Sequence, residues 1–140
     1  PGGEGFPCYQ VKLRGAPPAR LTLAAYGYMA HLALEAVLRL AYQDEIFCEL
    51  LIPTRLAPFE LAPLAASLQT TERLLTVEEG TRPLGWGAEV LARMAEALGP
   101  HLKQARRLAA KGVVVPAAAD LEAACLPDTE DIIQHAREMM

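Results

Sequence analysis

A chain of 140 residues, 52% of them hydrophobic and 21% charged, is long enough to bury one core and too apolar to remain disordered. Its formal charge is -4, with arginines scattered among acids and no basic stripe, so nucleic acid is excluded as an expected partner. Three separated cysteines, Cys8, Cys48 and Cys125, make neither a C-x-x-C pair nor an even disulfide set, which points to a reducing, cytoplasmic setting.

No apolar run approaches the ~18 residues of a membrane span, and no signal peptide is evident. Pro1 stands where methionine would, so a processed end or a larger parent protein is expected. Residues 1–8 open with Pro1-Gly2-Gly3-Glu4-Gly5 and read as a linker or cut end, and residues 9–140 as one domain.

In chain order, Tyr9, Val11 and Leu13 alternate with Gln10 and Lys12, the period of a half-buried strand at a sheet edge. Leu21 to Tyr26 is a short apolar run with the length of a buried strand. Met29 to Ala41 has helical period, with His31, Glu35 and Arg39 on one face. So narrow a polar stripe predicts a helix packed around most of its circumference. Ile46 to Ile52 is a further apolar run ending at Pro53.

Leu61 to Leu68 reads as a shorter helix, Leu74 to Val77 as a strand, and Gly80 to Gly87 as a loop. Ala88 to Leu98 is a helix with Glu89, Arg93 and Glu96 outward, and Arg106 to Ala110 a weaker strand. Val113-Val114-Val115-Pro116 leads into a short alanine-rich turn. Asp128 or Thr129 caps a last helix whose first turn holds Glu130 and Asp131 and which runs to Met140. Strands alternating with such helices predict a mostly parallel sheet covered on both faces, with right-handed crossovers.

Few of the candidate chemical groups converge. Gly80 and Gly85 have the spacing of the first two P-loop glycines, but Trp86 and Gly87 stand where lysine and a hydroxyl residue belong, and Glu78 and Glu79 would repel phosphate. Adjacent in a strand, Glu78 and Glu79 point to opposite faces and make no acid/base pair, although they end a parallel strand, where such sheets place ligands. His31 and Glu35 supply two ligands, short of a metal site. Ser67 lies in no G-x-S-x-G, and Cys48 lies in an apolar run where an inert thiol is expected. Trp86, the sole tryptophan, is expected to be partly buried at an interface.

The order of the segments resembles the C-terminal domain of transketolase-like thiamine-diphosphate enzymes. Leu21-Thr22-Leu23-Ala24-Ala25-Tyr26-Gly27, followed by a helix containing Leu34-Glu35-Ala36, is similar to that domain's opening. Glu49 to Phe59 resembles its second parallel strand and the turn after it. Leu74-Leu75-Thr76-Val77-Glu78-Glu79 with Gly85-Trp86-Gly87-Ala88-Glu89 is the most telling stretch. The ending, with Val115-Pro116, Leu121-Glu122, Leu126-Pro127 and Glu130 to Ile133, resembles the beta subunits of 2-oxo acid (pyruvate or branched-chain) dehydrogenases.

The resemblance implies a three-layer α/β/α domain around a five-stranded mixed sheet whose first strand is antiparallel. It implies a homodimer through this domain, with Glu79, Gly85, Trp86, Gly87 and Glu89 at the contact, and docking to the acyltransferase core of the complex. The parent enzyme would bind thiamine diphosphate and magnesium in other domains and decarboxylate a 2-oxo acid oxidatively, passing the acyl group to a lipoyl group. The family's cofactor motif begins Gly-Asp-Gly and needs a downstream asparagine; this chain has no Gly-Asp pair and no asparagine. No catalytic, cofactor or metal residue is therefore expected in it, and alone it is expected to be inert. The alternatives are a stand-alone module for a small organic anion at the sheet's C-terminal edge, or the same domain of a transketolase or deoxyxylulose-phosphate synthase.

Overall fold

The computed structural model describes residues 5–113 and 117–140. Five strands, β1 (Cys8–Val11), β2 (Leu21–Ala25), β3 (Cys48–Pro53), β4 (Arg73–Thr81) and β5 (Gln104–Ala110), form one sheet in the order β1-β3-β2-β4-β5. β1 runs antiparallel to β3 at one edge, and the other pairings are parallel. This is the mixed sheet with an antiparallel first strand that the resemblance implies. β1 begins one residue before Tyr9, and Thr54 Oγ1 donates to Pro7 O at 2.8 Å, tying down the segment just before the strand.

The period of two along each strand sorts side chains onto two unlike faces. Leu21, Leu23, Ala25, Cys48, Leu50, Leu75 and Val77 form one apolar face, which packs on α1 (Gly27–Asp44) and α5 (Thr129–Arg137). Ala24, Leu51 and Leu74 face the other way, onto α2 (Ala62–Thr71) and α3 (Trp86–Leu98). That second face also carries Thr22, Glu49, Thr76 and Glu78, all buried, so its two ends are polar. Burying each leucine fully is worth about 1.5–3 kcal/mol, which makes the apolar middle of the sheet the main source of cohesion.

Asp128 caps α5 with a reciprocal pair: Asp131 N donates to Asp128 Oδ1 at 2.8 Å and Asp128 N to Asp131 Oδ2 at 3.2 Å. Arg137 grips Asp44 at 2.8 Å and Arg39 reaches Glu130 at 2.5 Å, so α5 is pinned along α1. The helix ends at Arg137, three residues short of Met140. A short α4 (Ala119–Ala123) precedes it, and residues 114–116 of the expected Val113-to-Pro116 step lie outside the described residues, as do residues 1–4 of the expected linker.

Two expectations need correction. Helix α1 is not packed on most of its circumference: Tyr28, Leu34, Leu38 and Tyr42 are exposed on one side, Tyr42 at 79%. The sheet covers one side and α5 another, while the third has no neighbour among the described residues. The stretch Gly80 to Gly87 is not all loop either, because β4 continues to Thr81 and α3 begins at Trp86. A register shift between Val77 and Thr81 lets the strand stay paired with β5 up to Ala110.

Cys48 is buried, and desolvation pushes its thiol up to about 12, so almost no nucleophilic thiolate exists at neutral pH. All three cysteines are unpaired. An aromatic disulfide reagent at neutral pH is expected to label at most Cys8 and Cys125 in the native chain, and Cys48 only after denaturant is added. Rapid labelling of all three thiols without denaturant would contradict this packing.

Candidate functional site at the carboxyl end of the fourth strand

The adjacent carboxylates of Glu78 and Glu79 leave β4 on opposite faces, and each meets the start of a different helix. Glu79 is exposed, and its Oε1 accepts from Tyr28 N in the first turn of α1 at 3.1 Å. Glu78 is wholly buried, and its Oε1 accepts from Gly87 N in the first turn of α3 at 3.1 Å. Helix starts carry unpaired N–H groups and the positive end of the dipole, which explains why a carboxylate is stable at both places. One dipeptide thereby anchors a helix on each side of the sheet.

Arg107 on β5 completes the buried pair, donating from Nη2 to Glu78 Oε1 at 3.1 Å and to Arg82 O at 2.6 Å. The second contact ties the loop after β4 to the ion pair. Around this pair Thr76 Oγ1, Glu78 Oε2, Trp86 Nε1 and Arg107 Nε are buried without a hydrogen-bond partner among the described residues. Unpaired buried polar atoms are costly, so the polar face around Glu78 and Arg107 is less stabilising than its packing alone would suggest.

Gly85 and Gly87 are dictated by this packing. A Cβ on Gly87 would sit 2.5 Å from Thr76 Oγ1 and 2.7 Å from Glu78 Oε1. One on Gly85 would clash with Thr81 O and lie 2.6 Å from Glu78 Oε2. Between them Trp86 is half-buried, edge-on to Tyr26 at 5.2 Å and to Phe59 at 5.5 Å. The tyrosine hydroxyl's pKa is raised, chiefly by burial and then by the charge of Glu78, so it stays a neutral phenol.

Of the residues expected at a contact, Glu79 and Glu89 are exposed, Gly85 and Trp86 half-buried, and Gly87 buried behind them. Glu89 lies 4.0 Å from Arg93, which itself donates to Phe59 O at 3.0 Å. The sequence reading missed Leu84. Its side chain is fully exposed at the loop tip while its backbone sits at φ 58, a conformation that costs a branched residue roughly 1–3 kcal/mol. Arg107 and Thr76 were also missed, although the alternation Leu74, Thr76, Glu78 places the threonine and the buried carboxylate on one face.

This arrangement suits no diphosphate. The start of α3, the natural place for an anion, is already filled by Glu78, and Glu79 adds a second negative charge at the same edge. An organic-anion site at this edge is disfavoured for the same reason. His31 stacks on Tyr28 at 6.0 Å, and Glu35 is turned to Arg39 and Thr129, so they do not converge on a common point.

Comparison with known proteins agrees with the architecture. The model of the transketolase C-terminal domain matches residues 12–132. The beta-1 subunit of the pyruvate dehydrogenase E1 component from Arabidopsis thaliana is 34% identical over 118 residues, covering 84% of this chain and 32% of that protein. The corresponding beta subunit from Staphylococcus epidermidis is 32% identical over 84% of this chain and 36% of its own length. The beta subunit of a 3-methyl-2-oxobutanoate dehydrogenase from Mycobacterium tuberculosis is 34% identical over 54% of this chain and 22% of its own length. A solved structure described as a split gene transketolase, inactive beta4 tetramer, superposes with a TM-score of 0.76 at 20% identity, covering 93% of this chain and 41% of that one. The chain spans about a third of the length of the pyruvate dehydrogenase subunits that it matches. A model matched from residue 12 to residue 132 and a sheet of the same design place this chain in the transketolase C-terminal domain family.

Proposed function

We propose that this domain assembles a thiamine-diphosphate-dependent 2-oxo acid dehydrogenase of the pyruvate dehydrogenase type and performs no chemistry itself. The observation that carries the reading is the surface at the end of β4. A strained, fully exposed leucine stands next to a half-buried tryptophan. Such a surface is stabilised when a second protein covers it, since burial then repays the exposed leucine and the outer edge of the tryptophan ring.

The occupant in this reading is a second copy of the chain, giving a homodimer through Glu79, Leu84, Gly85, Trp86 and Glu89, with Gly87 holding them from beneath. The uncovered side of α1 is left for other domains or subunits of the parent and for the acyltransferase core. Thiamine diphosphate and magnesium then belong to those other parts. The parent reaction is oxidative decarboxylation of a 2-oxo acid with acyl transfer to a lipoyl group, in a reducing compartment such as the cytoplasm.

Sedimentation equilibrium of the chain across the micromolar range tests the contact. The native chain is expected to dimerise, and Trp86→Ala to shift it to monomer by at least ~30-fold in dissociation constant, as for a central aromatic anchor. An unchanged dimer in the variant counts against this placement. A second reading, the same domain of a transketolase, is favoured by the similarity to the split gene transketolase structure. Co-purification with a dehydrogenase alpha subunit separates the two.

A further inference from the structure

Six buried polar side chains among the described residues fall into two groups at opposite ends of the sheet. Thr76 and Glu78 belong to the site above. Thr22, Glu49, Ser67 and Thr71 gather at the other end, where β2 and β3 begin beneath the last turns of α2. Thr22 Oγ1 lies 2.7 Å from Ser67 Oγ and 2.6 Å from Thr71 Oγ1, and Ser67 donates on to Glu49 Oε2. Gln10 Nε2 donates to Glu49 Oε1 at 2.5 Å, and Lys12 Nζ stands 3.7 Å from the same oxygen. A buried carboxylate with a chain of hydroxyls behind it is a costly thing to keep under a helix when apolar residues would fill the same space.

This group opens onto a half-enclosed cavity of ≈ 550 Å³, lined by Lys12, Arg14, Pro17, Phe47, Glu49 and Thr71 among others. That volume lies within the roughly 300–1,000 Å³ of small-molecule sites. Arg14 is exposed and takes part in none of the ion pairs among the described residues. The cavity therefore offers three features side by side: a buried carboxylate, two cations at the rim, and a wall made of Phe47 and proline. A simple carboxylate would meet the charge of Glu49, and a simple amine would meet Lys12 and Arg14. A molecule that carries both signs close together complements both the carboxylate and the rim cations.

We propose that this cavity binds a free α-amino acid with an apolar side chain. The ammonium group sits on Glu49, the carboxylate on Lys12 and Arg14, and the side chain against Phe47 and Pro17. The site lies at the edge of the sheet remote from Trp86, so it does not depend on the assembly reading, and ligand binding and dimer formation are separable.

The test is a titration of the isotope-labelled chain with L-leucine, followed by amide chemical shifts. Saturable shifts are expected at Arg14, Gly15, Ala16, Phe47, Cys48 and Glu49, with none at Trp86 to Glu89. Isocaproate, which lacks the ammonium group, and isoamylamine, which lacks the carboxylate, are each expected to bind at least ~10-fold more weakly. Arg14→Gln, a change at an exposed residue, is expected to weaken leucine by about 10-fold while leaving the core spectrum unchanged. Failure of these shifts to saturate by roughly 50 mM leucine overturns the proposal, because affinity that weak reflects no built site. Equal binding of isocaproate and leucine overturns it too, since the cavity would then read only a carboxylate. So would undiminished leucine binding by Arg14→Gln.

Discussion

Replacing Glu78 with alanine is expected to destabilise the domain by about 3 kcal/mol, measured as the loss of unfolding free energy in urea. The carboxylate is wholly buried, holds the first turn of α3 through Gly87 N, and faces Arg107, whose side chain is itself only 15% exposed. Removing it leaves the guanidinium inside the protein with the carbonyl of Arg82 as its one partner among the described residues. Gly87→Ala is expected to cost about 2–3 kcal/mol by a different route, because the new methyl group would displace that same carboxylate. The informative variant is the double one. With the carboxylate gone, part of the obstacle at position 87 is gone as well, so the two losses are expected to fall short of additivity by about 1–2 kcal/mol. Strict additivity would mean that Gly87 is required for some reason other than Glu78. Glu78→Gln should fall between wild type and alanine, since the amide oxygen can still accept from Gly87 N but carries no charge for Arg107.

Leu84→Gly is expected to act in opposite directions on two measurements. The native backbone at φ 58 is ordinary for glycine and strained for leucine, so the folded monomer should gain about 1 kcal/mol in urea unfolding, less whatever the added freedom of the unfolded chain removes. The same change deletes an apolar side chain that is fully exposed. If the dimer forms through this loop, its dissociation constant should rise by roughly 10–100-fold. A monomer made more stable and a dimer made weaker by one substitution is a signature that a purely structural role cannot produce. Leu84→Asn serves as the control for backbone strain, since asparagine also tolerates this conformation while remaining polar. If both variants leave the dimer intact, the contact lies elsewhere, and the open side of α1 with Tyr28, Leu38 and Tyr42 becomes the next surface to probe.

Much of the fold was legible because local pattern and tertiary structure agree. The apolar runs at Leu21 and Ile46 and the acidic first turn after Asp128 each translate directly into an element, whereas the alternation at Tyr9 to Leu13 marks a strand that runs Cys8–Val11 with Tyr9 exposed. The ends were less legible for a specific reason. Helices α1 and α2 both stop at glutamates in the left-handed conformation, Glu45 at φ 55 and Glu72 at φ 57, where glycine would have announced the stop. Similarly, α3 starts at Trp86 instead of Ala88 because its cap arrives from Glu78 in the neighbouring strand, which no reading of the helix's own residues reveals.

The same division holds for the candidate site. The sequence by itself determined the alternation of strands and helices, the opposite facing of Glu78 and Glu79, and the lack of a lysine or hydroxyl residue to hold phosphate after Gly85, because these follow from period and residue type alone. Only the tertiary structure decided what the carboxylates do. Glu78 and Arg107 are 29 positions apart, Glu79 and Tyr28 are 51 apart, and the hydroxyls of Thr22 and Thr71 are 49 apart. Such partners meet because parallel strands bring their corresponding ends together through crossovers, a consequence of sheet order and not of neighbouring residues. Exposure was decided in the same way. The apolar stripe of α1 reads as core until the sheet and α5 are seen to occupy two of its sides, with the third open among the described residues.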